Sequence, residues 1–501
     1  MLGLLLVLFA LFLFHQFWWR RRNMPWGPTP WPVVGNMMAF ATKERWEDIF
    51  YAWTKEYGPI YSYWLAWIPV VAVNDLETMH ELFVKHGDDF ADRAPTEAFD
   101  YAVRGGLYGI VESSGDLWRE QRRFALKVFR DFGLSKNKME ARVLEELHTI
   151  FQNINKDISA GVDKHDFHKH TDIATGSLIN CVVTGFRFTA NGPEREKQFY
   201  YLKEVSEKIM LSFSNPLLLF TINSCTLSKL PLLRIPFDRV VKLQLEMRDY
   251  LEEVVDEKLR TIDYSADDFE PNDFIDAFLR EKHKHDSKGE VSYFTKTQLL
   301  ATILDLWFAG QETTSTTLTW GIAYLIVHAD AQKKLQEELD NVIGGDRMVT
   351  GADKTELPYT QAVVMEIHRC ANIIGQNLLR KTTRDVTIAG YELPKGTVVI
   401  PQISVPMVDP KHFPEPKRFN PDRFIDKDGS LLKAPALMPF SLGKRQCLGE
   451  GLARMEMFLF IANLFNQYQF LPGKEPPTLR KSVQGFSFST APYRCRVERR
   501  F

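Results

Sequence analysis

The segment Phe440-Ser-Leu-Gly-Lys-Arg-Gln-Cys-Leu-Gly449 decides the fold of this chain, because it sets one cysteine between two glycines just before an apolar helical run. Since glycine has no side chain, a flat ligand can approach the backbone closely on both sides of Cys447. The sulfur lies near the N-terminus of a helix predicted from Leu452 to Leu464, where backbone N–H groups and the helix dipole favour a thiolate. With Arg445 placed to pair with an anion, these residue types suit a haem whose iron binds an axial sulfur.

Two other interpretations of Cys447 are weaker. A lone cysteine is most often a buried structural residue, but here all five fixed positions of the pattern F-x-x-G-x-R-x-C-x-G are filled. Zinc requires further Cys or His ligands, and none lies at ligand spacing from this cysteine. The filled positions are Phe440, Gly443, Arg445, Cys447 and Gly449.

This pattern resembles the haem-binding loop of the cytochrome P-450 monooxygenases. The resemblance implies a mainly α fold with small β-sheets, and one large catalytic domain. It also implies haem b as the cofactor, with its iron axially ligated by Cys447. The implied cofactor-binding residues of the loop are Phe440, Gly443, Arg445 and Gly449. Three further blocks resemble the animal microsomal subgroup that oxidises drugs, fatty acids and steroids: Phe90–Pro95, Gly176–Asn180 and Gly185–Phe188.

The composition of the chain agrees with one large enzyme domain. Its 501 residues show no linker, repeat or composition break after about Met37, which predicts a single catalytic domain over residues 37–501. The formal net charge of -2 gives no general attraction to nucleic acid. Five scattered cysteines form no disulfide framework and favour a reducing compartment. We expect a strand pair in Ile60–Val73, mostly helix from Asp116 to about Val342, and short strands around Gly390.

Residues 1–19 are predicted to form a transmembrane signal anchor. Met1 to Phe14 is unbroken apolar sequence, and a helix of this predicted length spans about 28 Å, close to the hydrocarbon thickness of a bilayer. Trp18 and Trp19 suit the membrane interface. A cleaved signal peptide is the alternative, but no basic residue precedes the apolar run and no small-residue cleavage site follows it.

Residues 20–36 are predicted to form a basic stop and a proline-rich hinge. The stop is Arg20 to Arg22, and positive charge favours the cytosolic side of a membrane. Repeated proline from Pro25 to Pro32 excludes a helix and suggests a rigid spacer. We therefore expect an endoplasmic reticulum protein with a single N-terminal anchor and its catalytic domain on the cytosolic face.

Trp118 and Arg122 are one helical turn apart, so both can face one ligand. They match the family's W-x-x-x-R pattern, which implies that they hold a haem propionate through charge-assisted hydrogen bonds. The neighbouring helix face carries a basic stripe that suits an acidic electron donor, and an ordinary solvated face explains it nearly as well. The stripe comprises Arg119, Arg123, Lys127 and Arg130.

A long helix is predicted from about Thr295 to Val327, with Ala309-Gly-Gln-Glu-Thr-Thr314 at its centre. Glycine in a helix interior costs about 1 kcal/mol relative to alanine, and the hydroxyl side chains behind it compete with backbone hydrogen bonds. We expect a local opening at Gly310 that forms a groove for dioxygen, with a kink that has no chemistry as the alternative. Glu312 and Thr313 match the family's acid–threonine pair, which implies a catalytic proton path.

Glu366 and Arg369 stand at positions i and i+3 of a helix predicted from Thr360 to Cys370. In the family this E-x-x-R pair is buried and meets a later arginine. The segment Phe419-Asn-Pro-Asp-Arg-Phe424 supplies Arg423 as that third member. The resemblance gives the triad a role in structural support of the haem pocket rather than in chemistry.

Two positions near this triad also follow from the resemblance. Arg380 aligns with a residue that often contacts the second propionate. Gly375 stands where the family commonly has proline, which predicts a looser chain between Ile374 and Leu379.

These features together predict a haem-thiolate monooxygenase that inserts one oxygen atom from O2 into a hydrophobic substrate, such as a lipid, a steroid or a xenobiotic. No flavin-binding stretch follows Gly449, so the electrons must come from a separate protein. The resemblance implies the NADPH-dependent diflavin cytochrome reductase, with cytochrome b5 as a second donor. Two alternatives are a haem-thiolate peroxide isomerase or dehydratase, which the intact Glu312–Thr313 pair disfavours, and a non-catalytic haem-binding protein.

Overall fold

The chain is mainly helical with small β-sheets, which confirms the predicted fold class. The computed structural model describes residues 2–41, 45–94, 96–131, 138–190, 192–484 and 487–501. The helices are α1 (Leu2–Phe17), α2 (Met37–Ala41), α3 (Trp46–Tyr57), α4 (Leu76–His80), α5 (Glu97–Arg104), α6 (Gly115–Asp131), α7 (Lys138–Ser159), α8 (Phe167–Thr184), α9 (Pro193–Ser212), α10 (Pro216–Thr221), α11 (Pro231–Thr261), α12 (Phe274–Ser287), α13 (Lys296–Val327), α14 (Ala329–Val342), α15 (Pro358–Ala371), α16 (Ser404–Val408) and α17 (Glu450–Gln467). The strands are β1 (Ile60–Leu65), β2 (Ile68–Val73), β3 (Asp92–Arg93), β4 (Arg380–Lys381), β5 (Val386–Ile388), β6 (Tyr391–Leu393), β7 (Val398–Pro401), β8 (Tyr468–Pro472), β9 (Lys481–Gln484), β10 (Ser487–Thr490) and β11 (Cys495–Arg499).

The helices that carry the sequence motifs begin and end close to their predicted bounds. α13 begins after Thr295, whose side chain accepts a hydrogen bond from the Gln298 N–H and caps the first turn. α15 ends at Asn372, which has φ 40° and so takes the left-handed conformation that closes many helices. α17 is longer than predicted at both ends, because Gly449 serves as its N-cap residue and the apolar run continues to Gln467.

The described residues fall into two compact units, and the first comprises Met1–Ala94, Ile374–Lys417 and Pro435–Cys447. Its sheet has the strand order β1-β2-β7-β4-β3. The predicted strand pair is confirmed as the antiparallel hairpin β1–β2, and β5–β6 form the predicted short strands around Gly390. Alternate residues of β2 enter two apolar clusters, with Val71 and Val73 in one and Val70 and Ala72 in the other. Both faces of the sheet are therefore buried.

The segment 20–36 lies along β1, the edge strand of this sheet. Ser62 Oγ donates to the Pro25 carbonyl at 2.7 Å, and the Trp64 N–H donates to Asn36 Oδ1 at 2.8 Å. The proline-rich part is free of helix, as predicted. It packs on the strand instead of standing away from the sheet, because its polar groups complete the hydrogen bonds of an edge that would otherwise be open.

In the described part of the chain, one helix is long and apolar enough to cross a bilayer. The span Gly3–Arg21 has 19 residues and a mean hydropathy of 1.5. α1 ends within it, and Trp18 and Trp19 follow with exposed fractions of 55% and 45%. Arg20 packs over Trp64, with its Cζ 3.6 Å from the ring centroid. Length and composition suit both an anchor and a signal sequence, so the anchor stays a prediction.

The second unit comprises Pro95–Ile373, Arg418–Ala434 and Leu448–Phe501. Its centre is α13, which is buried on almost every side and packs against α8, α15 and α17. An apolar helix surrounded in this way is a core helix. Two small antiparallel pairs, β8 with β11 and β9 with β10, complete the unit. The mostly helical stretch predicted from Asp116 to Val342 is confirmed.

Candidate active site

Cys447 lies in a loop whose geometry is set by main-chain groups. The Cys447 N–H donates to the Phe440 carbonyl at 2.9 Å, which closes the loop. Gly443–Arg445 form a short 3-10 helix inside it. Cys447 is exposed, and α17 begins at Glu450. The sulfur therefore belongs to the residues just before a helix N-terminus, as predicted from the sequence.

The two glycines of this loop have different physical roles. Gly443 has φ +71°, and a Cβ there would lie 1.7 Å from the Phe83 carbonyl oxygen, so protein packing alone requires glycine. Packing thus explains this glycine without a ligand, and a role of Gly443 in cofactor binding stays a prediction. Gly449 has φ −91°, and no atom lies within 4 Å of the position that its Cβ would take. The backbone at Gly449 is open to the close approach of a flat group.

Two arginines hold the cysteine loop. Arg445 is 5% exposed and donates from Nε to the Ala91 carbonyl at 2.5 Å. Arg380, in β4, is 1% exposed and donates from Nη2 to the Ser441 hydroxyl at 3.1 Å and the Leu442 carbonyl at 2.8 Å. The structure therefore brings Arg380 to the loop that contains Cys447, and its contact with a propionate stays a prediction.

This donor set fits a haem bound through sulfur. Cys447 is an exposed residue, and Gly449 leaves the adjacent backbone free of side-chain atoms. Buried guanidinium groups at Arg380 and Arg445 suit the two carboxylates of a haem, because a charge removed from water needs an opposite charge or hydrogen bonds. The described residues contain no group of three or more His, Cys, Asp or Glu arranged to hold a metal ion, so zinc has no ligand set among them.

Trp118 and Arg122 share one face of α6, as predicted. Trp118 is buried, and the Arg122 Cζ lies 5.9 Å from its ring centroid. The neighbouring face is exposed along its whole length, and Arg119 forms an ion pair with Asp116 at 2.7 Å. The exposed members of this basic stripe are Arg119, Arg123, Lys127 and Arg130.

α13 runs unbroken through the predicted acid–threonine site. All of Lys296–Val327 is described and helical, so the expected local opening at Gly310 is wrong. A Cβ at Gly310 would lie 2.6 Å from Ile179 Cγ1 of α8, so this glycine lets two helices pack closely. The Thr313 hydroxyl donates to the Ala309 carbonyl at 2.5 Å and thereby joins the hydrogen bonds of the helix.

Glu312 is bound by residues that the sequence did not indicate. Both of its carboxylate oxygens lie 3.0 Å from Lys203 Nζ on α9, and Ser206 Oγ donates to Oε1 at 2.8 Å. In the described chain no hydrogen bond joins Glu312 to Thr313. Lys203 lies on the buried face of α9, between apolar neighbours such as Leu202. The signal in the sequence that could have indicated this contact was a charged residue, Lys203, on the buried face of a helix.

A second missed acid lies on α17. Glu456 is 4% exposed within an apolar stretch of that helix. Burial raises the pKa of Glu456 to about 8, and a hydrogen bond with Thr314 of α13 opposes that rise. The signal in the sequence that could have indicated this residue was a single carboxyl, Glu456, in an otherwise apolar run.

The predicted triad is assembled in the second unit. Arg369 donates from Nε and Nη2 to the two carboxylate oxygens of Glu366 at 2.7 and 2.8 Å. Arg423 Nε lies 3.2 Å from Glu366 Oε1. Glu366 is fully buried, and the pKa of Arg369 is raised by its hydrogen bonds to Glu366 against the cost of burial. These contacts are those expected of a structural ion triad, because each guanidinium meets the same buried carboxylate.

The segment Ile374–Leu379 is firmly hydrogen-bonded, contrary to the looseness expected from Gly375. The Gly375 carbonyl accepts from Gln402 Nε2 at 2.6 Å, and Gln376 Nε2 donates to the Tyr63 hydroxyl at 3.1 Å. Asn377 Nδ2 donates to the Pro401 carbonyl at 2.9 Å. Amide side chains therefore fix the segment where the family commonly uses a proline ring.

Comparison with known proteins agrees with this geometry. The family model described as Cytochrome P450 matches residues 25–497. The chain is 34% identical over 498 residues to Cytochrome P450 2A4 of Mus musculus, covering 98% of this chain and 97% of the relative. It is 35% identical to Cytochrome P450 2D3 of Rattus norvegicus over 95% of this chain and 92% of the relative. It is 34% identical to Cytochrome P450 2H1 of Gallus gallus over 91% and 89%, respectively.

Proposed function

The chain belongs to the cytochrome P450 family and is a haem-thiolate monooxygenase, and on that premise we propose that it oxidises a lipid, a steroid or a xenobiotic with electrons from a separate NADPH-dependent diflavin reductase. One oxygen atom of O2 enters a carbon–hydrogen bond of the substrate, and the other leaves as water. NADPH supplies two electrons, and the solvent supplies the protons. When bound, the haem supplies the iron at which O2 is reduced and split.

The observation that carries the proposal is the cysteine loop. Cys447 would bind the haem iron through its sulfur, because this exposed residue precedes α17 in a loop closed by its own main-chain hydrogen bond. Phe440 provides the carbonyl that closes the loop, and Gly443 allows the loop to pack on Phe83. Gly449 keeps the adjacent backbone open for the plane of the ring.

The remaining cofactor contacts are made by cations and one indole. The propionates would be bound by Arg380, Arg445, Trp118 and Arg122. A guanidinium pairs with a carboxylate through two parallel hydrogen bonds, which fixes orientation as well as position. The triad of Glu366, Arg369 and Arg423 supports the pocket without touching the substrate.

Glu312 and Thr313 handle the protons. Thr313 presents a hydroxyl that both donates and accepts a hydrogen bond, and Glu312 supplies an ionisable group next to it in the sequence. An apolar substrate offers few polar groups for hydrogen bonding, so the enzyme discriminates only weakly between similar hydrophobic compounds.

The first experiment is turnover of the haem-loaded protein with diflavin reductase and NADPH on a lipid extract under isotopically labelled dioxygen. Products that carry one labelled oxygen atom would support the proposal and identify the substrate class. Conversion of a lipid peroxide without NADPH would instead support the isomerase or dehydratase. A loaded protein that consumes no electrons with any substrate would support a non-catalytic haem protein.

The reductase, with cytochrome b5 as a second donor, docks on the basic stripe of α6. Replacing Arg123 and Lys127 together by glutamine should slow haem reduction about threefold at low salt and flatten its salt dependence, because oppositely charged surfaces steer association. The matched control neutralises two other exposed lysines, Lys197 and Lys333, whose side chains are 72% and 78% exposed. Equal effects of the two pairs would remove the stripe from electron delivery.

The protein is anchored in the endoplasmic reticulum membrane by residues 1–19, with the catalytic domain of 37–501 on the cytosolic face. The exposed tryptophans after α1 and the three arginines that follow favour this orientation. Protease added outside intact microsomes should digest the catalytic domain. Protection of that domain until detergent is added would contradict the orientation.

A further inference from the structure

The chain between α4 and β3 contains a π-helical turn. This turn is Glu81–Lys85, and it is closed by the His86 N–H, which donates to the Glu81 carbonyl five residues earlier at 3.1 Å. Such wide turns are rare in proteins and occur frequently at functional sites. A short 3-10 helix, Gly87–Phe90, follows the turn and leads into β3. Residues 81–91 are termed the π-turn segment.

The π-turn segment contacts the cysteine loop near both of its ends, and both belong to the first unit. Near the start of the segment, Gly443 packs on the Phe83 carbonyl so closely that a Cβ on this glycine would lie 1.7 Å from the oxygen. At the end of the segment, the Ala91 carbonyl accepts a hydrogen bond from Arg445 Nε. Both contacts use main-chain carbonyls of the segment, so the path of its backbone sets the position of the loop.

The side chain of Phe83 contacts Arg380. Phe83 is fully buried, and the Arg380 Cζ lies over its ring, 4.9 Å from the centroid. A guanidinium over an aromatic face is attracted by the electron density of the ring, and most strongly where water is excluded. Arg380 in turn donates to Ser441 and to the Leu442 carbonyl of the cysteine loop. Phe83 therefore contacts the loop through its carbonyl, and contacts the arginine that binds the loop through its ring.

Core packing alone does not require an aromatic residue at position 83. Phe83 belongs to the apolar cluster on one face of the sheet, whose other described members, apart from Phe90, are aliphatic residues and methionines. Phe90 packs edge-on against the Phe83 ring, with centroids 5.2 Å apart, and leaves the ring face to Arg380. An aliphatic side chain of similar volume would fill the same space at a small cost, but only an aromatic face attracts a cation.

We propose that Phe83 is a positioning residue for the cofactor: its ring holds the Arg380 guanidinium in the orientation that binds a propionate, and its carbonyl fixes the cysteine loop. The inference rests on the proposed propionate contact of Arg380. Phe83 acts through Arg380 and through the loop, because a charged group binds a carboxylate tightly only when its own orientation is fixed beforehand. The π-helical turn places the ring and the carbonyl of one residue on these two targets.

The test replaces Phe83 by phenylalanines with successively more ring fluorines in the full-length holoenzyme. Fluorine withdraws electron density from the ring face and leaves the shape of the side chain almost unchanged, so it weakens the attraction to Arg380 alone. The rate of haem loss to an excess of an acceptor protein should rise with each fluorine, by about tenfold over the series. The matched control is the same series at Phe50, which is fully buried in the apolar cluster on the other face of the sheet.

Phe83→Leu, Arg380→Gln and the double variant separate this inference from the proposed role of Arg380. If Phe83 acts through Arg380, each single variant should speed haem loss, and the double variant should lose haem hardly faster than Arg380→Gln alone. Independent effects that multiply in the double variant would overturn the inference and leave Arg380 as a propionate ligand. An Arg380→Gln protein that loses haem at the unaltered rate would overturn the proposed propionate contact, and the inference with it.

The fluorinated proteins keep the test decisive if Phe83→Leu fails to fold, because they preserve the volume of the core. The reduced carbonyl spectrum confirms that each protein starts with a thiolate-bound haem. Haem loss that stays constant through the fluorinated series at Phe83 would show that this residue only fills the core. Equal increases in the series at Phe83 and at Phe50 would also contradict a specific action on Arg380.

Discussion

In the cysteine loop, main-chain atoms fix the geometry, whereas around Glu312 in α13 the geometry depends on side chains. The loop is closed by the Cys447 N–H on the Phe440 carbonyl, and Gly443 packs directly on the carbonyl of Phe83. In α13, Glu312 is bound to Lys203 and Thr313 to Ala309. The difference suits the two tasks, because a metal ligand must stay in place while a proton carrier must move.

Because main-chain atoms fix the loop around one metal-binding side chain, we expect enzyme activity to be lost when the sulfur of Cys447 is removed. Cys447→Ala removes the thiolate, so we expect product formation to fall below detection and the haem to lose its thiolate spectrum. The matched control is Cys225→Ala, since Cys225 is also an exposed cysteine outside any disulfide. Turnover that survives in Cys447→Ala, or equal losses in both variants, would show that the loop does not supply the iron ligand.

The next largest effect concerns the free energy of unfolding, which should respond differently to substitution of the two glycines of the loop. Gly443→Ala forces a Cβ to within 1.7 Å of the Phe83 oxygen at φ +71°, and we expect a loss of about 2–4 kcal/mol from strain and overpacking together. Gly449→Ala meets no atom within 4 Å, so its stability in the absence of haem should stay within about 0.5 kcal/mol of the unaltered protein.

Denaturant unfolding of the haem-free proteins and haem titration would measure the two effects separately. Gly449→Ala should weaken haem binding although it leaves the polypeptide stable, because its methyl group enters the open side of the backbone. Two glycine variants with the same stability and the same haem affinity would contradict the assignment of one glycine to packing and the other to the cofactor.

The same contrast explains which features the sequence could predict. The loop, the β1–β2 hairpin and the bounds of α13 follow from local patterns, because glycine, capping residues and apolar periodicity act on neighbouring residues. The triad came from the resemblance, which carries tertiary information that one sequence lacks. The opening expected at Gly310 was wrong because α13 continues unbroken there, and the glycine serves close packing against Ile179 of α8.

The contact between Lys203 and Glu312 could not be predicted, although each residue is visible in the sequence. The two residues are 109 positions apart and meet only when α9 packs near α13. Neither the spacing of charges nor helix periodicity fixes which of several surface or buried partners a lysine will find. The hydrogen bonds that hold Ile374–Leu379 were missed for the same reason, since Gln402 and Tyr63 come from distant parts of the chain.

Another side-chain contact of α13 is the hydrogen bond between Thr314 and Glu456 of α17, and it makes the stability of the protein depend on pH. The folded protein keeps this proton up to a pKa of about 8, whereas an unfolded chain releases it near pH ~4.3. The stability that this group contributes is fully present below the unfolded pKa and is lost as pH rises towards 8, at up to about 1.4 kcal/mol per pH unit. Glu456→Gln resembles the protonated acid and should remove that loss, which amounts to about 2 kcal/mol between pH 6 and 8.

Unfolding midpoints of Glu456→Gln and the unaltered protein should therefore agree near pH ~4, below the unfolded pKa, and diverge as the pH rises. The control is Glu337→Gln, because Glu337 is an acid whose side chain is 58% exposed in a surface ion pair with Lys333. Its unfolding curve should follow that of the unaltered protein at every pH. A constant difference between Glu456→Gln and the unaltered protein across this range would mean that Glu456 is ionised in the folded state.

The smallest effect should distinguish two threonines with the same local geometry. Thr313 donates to the Ala309 carbonyl at 2.5 Å, and Thr317 donates to the Thr313 carbonyl at 2.7 Å, so both hydroxyls bond one turn back along α13. Thr313→Ala should lower the ratio of product to hydrogen peroxide about tenfold, a modest loss for a group in proton transfer. Thr317→Ala removes an equivalent helix contact and should leave the ratio unchanged. If both variants release peroxide equally, the two hydroxyls serve the helix alone, and proton delivery must come from Glu312 without a threonine. If only Thr313→Ala releases more peroxide, the Thr313 hydroxyl must give up its hydrogen bond to the Ala309 carbonyl during turnover. That outcome would show that a side-chain contact in α13 changes while the enzyme works.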